Sequence, residues 1–233
     1  MTFSTLRSRW ARMLRVPHWA KNTLVLVPLV TAHRLTDPQA VLAASLTFVA
    51  FCLLASAGYL LNDLRDVRPD RAHPAKQTRP LAAGEVSPAM ALTLAAMLGG
   101  AAFAIGVAFL PPSVLPVLSV YLIVTAAYSL GLKRVALLDV LLLAGLYSVR
   151  LVAGAVAIEV PMSSWLLSFS TFFFLSLALV KRYAELREAG GSGGPAPEGR
   201  GYELSDLPLV GSLGTTSGLI ATFVLTLYVA SDH

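Results

Sequence analysis

The chain has 233 residues and a formal net charge of +5, with 56% hydrophobic and only 13% charged residues. Because soluble domains carry about 25% charged residues, this composition excludes an ordinary soluble domain and, with a mean hydropathy of +0.70, predicts a membrane protein. The single cysteine, Cys52, lies within an apolar run, so no disulfide can form within the chain and a packing role is expected.

Seven apolar segments approach the roughly 20 residues that a helix needs to cross a bilayer. The first is the weakest, because Pro17 and Pro28 lie inside it. Short separators with turn residues, such as Asp37-Pro38 and Pro111-Pro112, divide the segments. We therefore predict one domain over residues 1–233, an all-α polytopic transmembrane bundle of about seven helices. The expected spans are residues 16–32, 41–61, 89–110, 114–130, 136–158, 163–180 and 207–230.

The distribution of Lys and Arg predicts the orientation. If all seven segments cross, 16 of the 18 Lys and Arg residues fall on one side, Arg34 falls on the other, and Arg150 lies within a helix. The positive-inside bias then places the N-terminus and the long loops 63–88 and 181–206 in the cytoplasm, with the chain integral to the inner (plasma) membrane. Residues 189–201, rich in Gly, Ser and Pro, are expected to form a flexible cytoplasmic loop.

The first candidate site follows the second apolar segment, in the sequence Asn62-Asp63-Leu64-Arg65-Asp66-Val67-Arg68-Pro69-Asp70. Carboxylates three and seven residues apart share a helical face, and such hard oxygen ligands suit Mg²⁺, which commonly takes substrate phosphates as further ligands. A solvated loop explains the aspartates less well, because acidic residues contribute little to topology. We predict that Asp63, Asp66 and Asp70 bind Mg²⁺. Pro69 disfavours helix at the preceding residue, so the shared face applies better to Asp63 and Asp66.

Cations follow this motif and would bind the phosphates of a substrate. The predicted phosphate-binding residues here are Arg71, Lys76 and Arg79, with His73 as a further candidate. Asn62 could add a neutral ligand or orient Asp66. Lys21, in the sequence His18-Trp19-Ala20-Lys21-Asn22, is either an interfacial anchor or part of the wall of the same cytoplasmic cavity.

The second candidate site lies at the end of the sixth apolar segment, in Lys181-Arg182-Tyr183-Ala184-Glu185-Leu186-Arg187-Glu188. Arg187 and Glu188 fit a snorkelling helix end. Lys181, Arg182 and Glu185 follow the apolar run more closely, so we predict that they face the bundle. Lys181 and Arg182 would then bind phosphate.

The third candidate is a set of polar residues within the fifth segment: Asp139, Tyr147 and Arg150. Asp139 and Arg150 share a helical face but, at a rise of about 1.5 Å per residue, are too far apart to pair directly. Ionisable groups inside a span are functional candidates by default. A buried structural contact with another helix is the alternative.

These motifs resemble the UbiA superfamily of intramembrane transferases. The pattern Asn62-Asp63-x-x-Asp66-x-x-x-Asp70 is similar to that family's first aspartate-rich motif. The continuation through His73-Pro74, Lys76, Arg79-Pro80 and Gly84, together with Lys181-Arg182-Tyr183-Ala184-Glu185-Leu186, resembles the branch that includes decaprenyl-phosphate phosphoribosyltransferases. The resemblance covers the chain from His18 onward.

The resemblance implies an all-helical bundle with a cytoplasm-facing cavity, Mg²⁺ and a polyprenyl substrate. Family members have nine transmembrane helices as a rule, so we expect either a C-terminally truncated chain or a partner that closes the bundle. A second aspartate-rich motif holds a second Mg²⁺ in ordinary members, and here Lys181-Arg182-Tyr183-Ala184-Glu185 takes its place. That departure favours phosphate bound directly by cations.

The expected activity is transfer of phosphoribose from phosphoribosyl pyrophosphate to a polyprenyl phosphate, with release of pyrophosphate, as in lipid-linked sugar biosynthesis. The expected partners are these substrates and membrane lipids, without nucleic acid, and the sequence leaves the oligomeric state open. The expected catalytic residues are Asp63, Asp66, Lys181, Arg182 and Glu185. An ordinary prenyltransferase, which moves a prenyl group from a polyprenyl diphosphate to an aromatic or other acceptor, is the alternative. A non-catalytic lipid-phosphate carrier or scaffold is the rival of another class.

Overall fold

A computed structural model of the chain describes residues 10–72, 74, 76–191 and 201–231. The regular structure in these residues is entirely helical, which confirms the predicted all-α bundle. The α-helices are α1 (Val27–Thr31), α2 (Pro38–Arg65), α3 (Val67–Ala72), α4 (Pro88–Phe109), α5 (Val114–Leu130), α6 (Leu138–Ala157), α7 (Ser164–Gly191) and α8 (Leu207–Ala230). Three 3₁₀ helices complete the described structure: Val16–Leu26, Leu132–Arg134 and Leu204–Asp206.

Five of the described helices, α2, α4, α6, α7 and α8, are long and apolar enough to cross a membrane, and the apolar helix α5 has 17 residues. These six correspond to predicted spans. The chain is therefore an integral membrane protein.

The first predicted span has a different form from the others. It is the 3₁₀ helix Val16–Leu26, of 11 residues, continued by the five residues of α1. Because a 3₁₀ helix rises about 2.0 Å per residue and an α-helix about 1.5 Å, the two pieces together extend over roughly 30 Å, the thickness of the hydrocarbon core. The short segment is thus long enough to cross the bilayer.

Proline and a short polar side chain begin the long helices. Asp37 precedes Pro38 and accepts hydrogen bonds from the backbone N–H groups of Gln39 at 2.9 Å and Ala40 at 3.2 Å. Ser87 precedes Pro88 and accepts one from the N–H of Met90 at 3.2 Å. The caps satisfy amide groups that have no partner within the helix, and proline at the first helical position has no such group to satisfy.

The described residues divide into two compact units. The first contains the chain up to Leu122 together with Ala153–Val160. Its α2 packs against α4 and the first 3₁₀ helix, and a core that includes Leu60, Leu81 and Val86 lies beneath the α2–α4 connection. The aspartate motif therefore stands at the end of a helix whose inner face packs on this core through Leu60 and Leu64.

The second unit contains Ile123–Val152 and the chain from Pro161 onward. Here α7 packs along α8, and small residues allow a close approach, as is common between membrane helices. A Cβ atom on Gly214 of α8 would lie 3.3 Å from the Cβ of Leu179, and the Ser176 hydroxyl donates to the carbonyl of Gly214 at 2.8 Å. Arg182 and Glu185 lie within α7, which continues past the predicted span to Gly191.

Candidate functional site

A helix break sets the geometry of the aspartate motif. Helix α2 ends at Arg65, Asp66 closes it, and α3 begins at Val67. Pro69 then lies in the first turn of α3, where its missing N–H costs nothing, whereas in a continuous helix its ring would clash with the carbonyl of Arg65. Because of the break, Asp70 belongs to α3 and does not continue the helical face of α2.

Asp63 and Asp70 converge on a single guanidinium group. Both residues are buried, at 7% and 3% exposure. Arg79 Nη1 donates to Asp70 Oδ2 at 2.6 Å and to Asp63 Oδ1 at 3.4 Å. Because one nitrogen contacts both carboxylates, the two acidic groups face the same point. Asp63 and Asp66 lie in the last turn of α2 and its C-cap, whereas Asp70 reaches the same arginine from α3, after the break that Pro69 led us to expect.

Asp66 is half-buried and lies beside Asn62. The Asn62 amide donates to Asp66 Oδ2 at 3.1 Å. This contact matches the expectation that Asn62 could orient Asp66.

Arg15 is the residue of this cluster that the sequence analysis did not single out. Its Nη2 donates to Asp63 Oδ1 at 2.5 Å, and its guanidinium carbon lies 4.8 Å from the centre of the Tyr59 ring. The backbone of Arg15 is left-handed, with φ of 51°, and it directly precedes the first 3₁₀ helix. The available signal was its position immediately before Val16-Pro17-His18-Trp19, but the pattern of topology-determining cations already accounted for an arginine there.

The donor chemistry of this cluster fits Mg²⁺. Asp63 and Asp70 would supply hard oxygen ligands of the kind that Mg²⁺ prefers, and their convergence on Arg79 Nη1 shows that the two carboxylates face a common cation. Among the described residues no three His, Cys, Asp or Glu side chains come together as a metal-binding group. With only two carboxylates, the cluster suits a Mg²⁺ ion that would take its remaining ligands from water and substrate phosphates.

The other predicted phosphate-binding residues of the first unit lie near its surface. Arg71 is exposed, and its Nε donates to the carbonyl of Ala82 at 3.0 Å, while Lys76 and Lys21 are exposed. His73 lies outside the described residues. Arg71 lies in α3, and Lys76 begins the turn that contains Arg79. The aspartate motif and these cations therefore lie in one continuous stretch of the chain.

The second candidate site is centred on a buried arginine. Arg182 is 1% exposed, and its Nη2 donates to Asp139 Oδ2 at 2.7 Å, while Nη1 pairs with Glu185. Lys181 is exposed. The sequence analysis placed Lys181 and Arg182 together facing the bundle, but adjacent residues on a helix point in different directions, and only Arg182 faces inward.

Tyr202 completes the arginine cluster, which comprises Asp139, Arg182, Glu185 and Tyr202. Its hydroxyl donates to Asp139 Oδ1 at 2.5 Å and accepts from the N–H of Leu137 at 2.9 Å. Burial of the hydroxyl, and then its bond to Asp139, raises the pKa of Tyr202 to about 12. No sequence signal links Tyr202 to Asp139, since the two lie 63 residues apart.

The third set of predicted residues divides between two structural roles. Asp139 makes the contact with another helix that the sequence analysis offered as an alternative, through Arg182 of α7. Arg150 is 6% exposed, donates to the carbonyl of Leu146 one turn earlier, and lies 5.6 Å from the centre of the Tyr147 ring. The Tyr147 ring stacks on Phe174 at 4.8 Å between centroids. These contacts tie α6 to α7.

Comparison with known proteins places these features in a family. Residues 23–194 match the family model described as the UbiA prenyltransferase family. The chain is 39% identical over 214 residues to decaprenyl-phosphate phosphoribosyltransferase of Mycolicibacterium smegmatis, covering 90% of this chain and 67% of that protein. It is 42% identical over 224 residues to the uncharacterized protein y4nM of Sinorhizobium fredii, covering 96% of this chain but only 43% of that protein.

The fold agrees with these sequence matches. A solved UbiA homolog from Archaeoglobus fulgidus, bound to DMAPP and Mg²⁺, superposes with a TM-score of 0.68 at 17% identity, covering 94% of this chain and 85% of that one. The family model matches well over half of the chain. The chain thus belongs to the UbiA prenyltransferase family.

Proposed function

We propose that this chain is an Mg²⁺-dependent transferase that moves phosphoribose from phosphoribosyl pyrophosphate to a polyprenyl phosphate. The observation that carries the proposal is the 39% identity, over 90% of the chain, to a protein named decaprenyl-phosphate phosphoribosyltransferase. The cluster of Asp63, Asp70, Arg15 and Arg79 supports it, because its carboxylates and cations suit a metal-bound diphosphate.

In the proposed reaction a phosphate oxygen of the lipid attacks the anomeric carbon of the ribose. The new bond joins that oxygen to the carbon, while the bond from the carbon to pyrophosphate breaks and pyrophosphate leaves with the electron pair. No protein nucleophile is required. Catalysis would come from positioning the two substrates and stabilising the charge that develops on the leaving group.

The first unit would bind the diphosphate. We propose that Asp63, Asp66 and Asp70 hold the Mg²⁺, and that Lys21, Arg71, Lys76 and Arg79 neutralise phosphate oxygens. Bound Mg²⁺ would supply charge stabilisation to the departing pyrophosphate. Arg15 would hold Asp63 in place through its short ion pair.

We propose that exposed Lys181 binds a substrate phosphate and that Glu185 binds either metal or a ribose hydroxyl. Arg182 is already paired with Asp139 and Glu185, so its proposed role is to orient Glu185.

The proposed location of the reaction is the cytoplasmic face of the inner membrane. Segments 63–88 and 181–206 contain all of the proposed metal- and phosphate-binding residues except Lys21, and they hold nine of the 18 Lys and Arg residues. Polyprenyl chains would lie along the apolar helices, because these helices and the surrounding lipid are both apolar.

The donor and acceptor can be tested directly. The purified chain in lipid nanodiscs is supplied either with phosphoribosyl pyrophosphate and polyprenyl phosphate, or with polyprenyl diphosphate and 4-hydroxybenzoate. We expect a lipid-linked phosphoribose product and pyrophosphate in the first assay. Product in the second assay alone would replace the proposal with ordinary prenyl transfer, and binding of lipid phosphate with no product in either would favour a carrier.

Asp63→Asn serves as the active-site variant in the same assay. The substitution keeps the shape of the side chain but removes the negative charge proposed to bind Mg²⁺. We therefore expect turnover to fall at least about 100-fold. Glu85→Gln is the matched control, because Glu85 pairs with Arg12 at 3.5 Å in the same unit and takes no part in the aspartate cluster. Equal activity of both variants would contradict the proposal.

A further inference from the structure

We infer that Arg79 is an exchangeable counter-ion, which bridges Asp63 and Asp70 while the metal is absent and transfers to the substrate's phosphates when Mg²⁺ binds these carboxylates. The inference rests on the proposed function for the identity of the site. It requires only a diphosphate, the group that phosphoribosyl and prenyl donors have in common.

The exchange follows from competition for the same oxygen atoms. Arg79 Nη1 contacts Asp70 Oδ2 at 2.6 Å and Asp63 Oδ1 at 3.4 Å, so it holds the position from which a metal would reach both carboxylates. A metal ion that binds these same two oxygens, Asp70 Oδ2 and Asp63 Oδ1, displaces this nitrogen. Guanidinium and Mg²⁺ are therefore alternative occupants of one point.

Charge balance decides when the exchange is favourable. Asp63 and Asp70 carry two negative charges, and Arg15 and Arg79 carry two positive ones, so these four groups are neutral together. A divalent cation arriving alone adds two positive charges in a partly buried place, where solvent screens repulsion poorly. A diphosphate brings compensating negative charge, and its oxygens accept the guanidinium fork as readily as carboxylates do.

Arg79 rather than Arg15 is suited to move. Arg15 is fixed from two sides, by the Asp63 carboxylate at 2.5 Å and by the Tyr59 ring at 4.8 Å. The Arg79 backbone is held in a turn by bonds to Lys76 and Ala83, while its side chain remains 28% exposed. Rotation of the side chain alone can therefore carry the guanidinium from carboxylate to phosphate.

The exchange predicts opposite effects of one substitution on two ligands. In Arg79→Gln the carboxylates lose their bridging cation, so a divalent ion binds them more easily, while a diphosphate loses a phosphate-binding group. We expect Mn²⁺, used as a spectroscopic substitute for Mg²⁺, to bind about ten-fold more tightly when alone, and labelled pyrophosphate at saturating Mn²⁺ to bind about ten-fold more weakly. A purely structural role for Arg79 would weaken both.

The experiment uses the chain in lipid nanodiscs, with electron paramagnetic resonance for Mn²⁺ and radiolabelled pyrophosphate for the anion. Arg12→Gln is the charge-matched control, since Arg12 pairs with Glu85 and bonds the carbonyl of Thr78 without reaching the aspartates. We expect both affinities of this control to stay within two-fold of those of the unaltered chain.

Arg79→Lys provides a second readout if Arg79→Gln does not fold. Lysine keeps the charge but is a single point donor, so Mn²⁺ alone should bind as tightly as to the unaltered chain or more tightly. Weaker binding of Mn²⁺ alone in either variant would overturn the exchange. Failure of phosphoribosyl transfer with the Mn²⁺ and pyrophosphate results intact would overturn only the proposed donor.

Discussion

The ion pair between Asp139 and Arg182 is the most deeply buried one in the part of the chain that the structure describes, with side-chain exposures of 0% and 2%. A buried charge tolerates such an environment only while its partner is present, and removing one partner typically costs about 3–5 kcal/mol. The stability of the protein therefore depends on this contact between α6 and α7. Removing the Asp139 carboxylate tests whether Arg182 has a structural role.

We predict that Asp139→Asn lowers the free energy of unfolding by roughly 3 kcal/mol, because Arg182 keeps only Glu185 as an acidic partner among those shown here. Thermal unfolding in detergent measures the effect. Arg34→Gln is the control: the Arg34–Asp37 pair has side-chain exposures of 44% and 29%, and exposed pairs contribute less than about 1 kcal/mol. Similar melting temperatures for both variants would refute the prediction.

The ionisation of Tyr202 makes the stability of the folded chain depend on pH above about 10. Its folded-state pKa of about 12 exceeds the ordinary value of 10.0, chiefly because the hydroxyl is buried. Between these values the unfolded chain loses the proton while the folded chain keeps it, so the stabilisation is present below pH 10 and is lost as the pH rises toward 12.

We predict that, in an ultraviolet titration, Tyr202→Phe loses the tyrosinate absorbance that appears near pH 12 in the unaltered chain. The same variant loses the hydroxyl that bonds Asp139 and the Leu137 N–H, which should cost about 1–3 kcal/mol at neutral pH. Tyr228→Phe is the control, since Tyr228 is 45% exposed. If Tyr202→Phe instead loses tyrosinate signal near pH 10, Tyr202 ionises with the exposed tyrosines and the prediction is wrong.

At the level of helices, the first 3₁₀ helix depends on a single glycine of α6. A Cβ atom on Gly154 would lie 2.0 Å from the carbonyl oxygen of Val25, far inside van der Waals contact. The 3₁₀ helix can approach α6 this closely only because Gly154 has no side chain. Arg15 directly precedes the same 3₁₀ helix, so the packing also bears on the aspartate cluster.

We predict that Gly154→Ala displaces the first 3₁₀ helix and lowers the free energy of unfolding by about 1–3 kcal/mol. Turnover should fall as well, because Arg15 moves with the helix. Gly145→Ala is the matched control in the same helix, since a Cβ there meets nothing within 4 Å. If both alanine variants melt at the same temperature, the close approach at Val25 does not limit stability.

The elements differ in how far the sequence predicts them. Apolar length predicted the helices that correspond to α2 and α4 to α8, because a bilayer requires long apolar runs. It did not predict the 3₁₀ form of residues 16–26 or the close approach of the Val25 carbonyl to Gly154, because both involve contacts between segments far apart in the sequence. For the site, spacing predicted that the aspartates act together, but the pairing of Asp63 with Asp70 depends on the helix break and on Arg79, which comes nine residues after Asp70.

Considered as a whole, the chain is a set of apolar helices whose ionisable groups are concentrated in a few connections. In the described residues the best-formed polar clusters lie at helix ends or between helices, as the aspartate cluster follows α2 and the arginine cluster lies between α6 and α7. Membrane solvation explains this distribution, since unpaired charges are costly within the hydrocarbon core. The proposed function and the predicted topology therefore depend on the same charged connections.

The orientation of the whole molecule depends on whether the first 3₁₀ helix and α1 cross the membrane. If they cross, the residues before Val16 and those after Thr31 lie on opposite sides, and the positive-inside bias places the former in the cytoplasm. The one natural cysteine, Cys52, is 2% exposed, so an introduced cysteine can be labelled against a low background.

We predict that Thr36→Cys reacts with a membrane-impermeant maleimide in intact cells, whereas Ala11→Cys and Lys133→Cys react only after permeabilisation. Lys133 follows α5 and is an independent marker of the predicted cytoplasmic side. Labelling of both Ala11→Cys and Thr36→Cys from outside would mean that the first segment does not cross. Labelling of Lys133→Cys in intact cells would invert the proposed orientation and, since the aspartate motif is predicted on the same side, would place the candidate site away from a cytoplasmic phosphoribosyl donor.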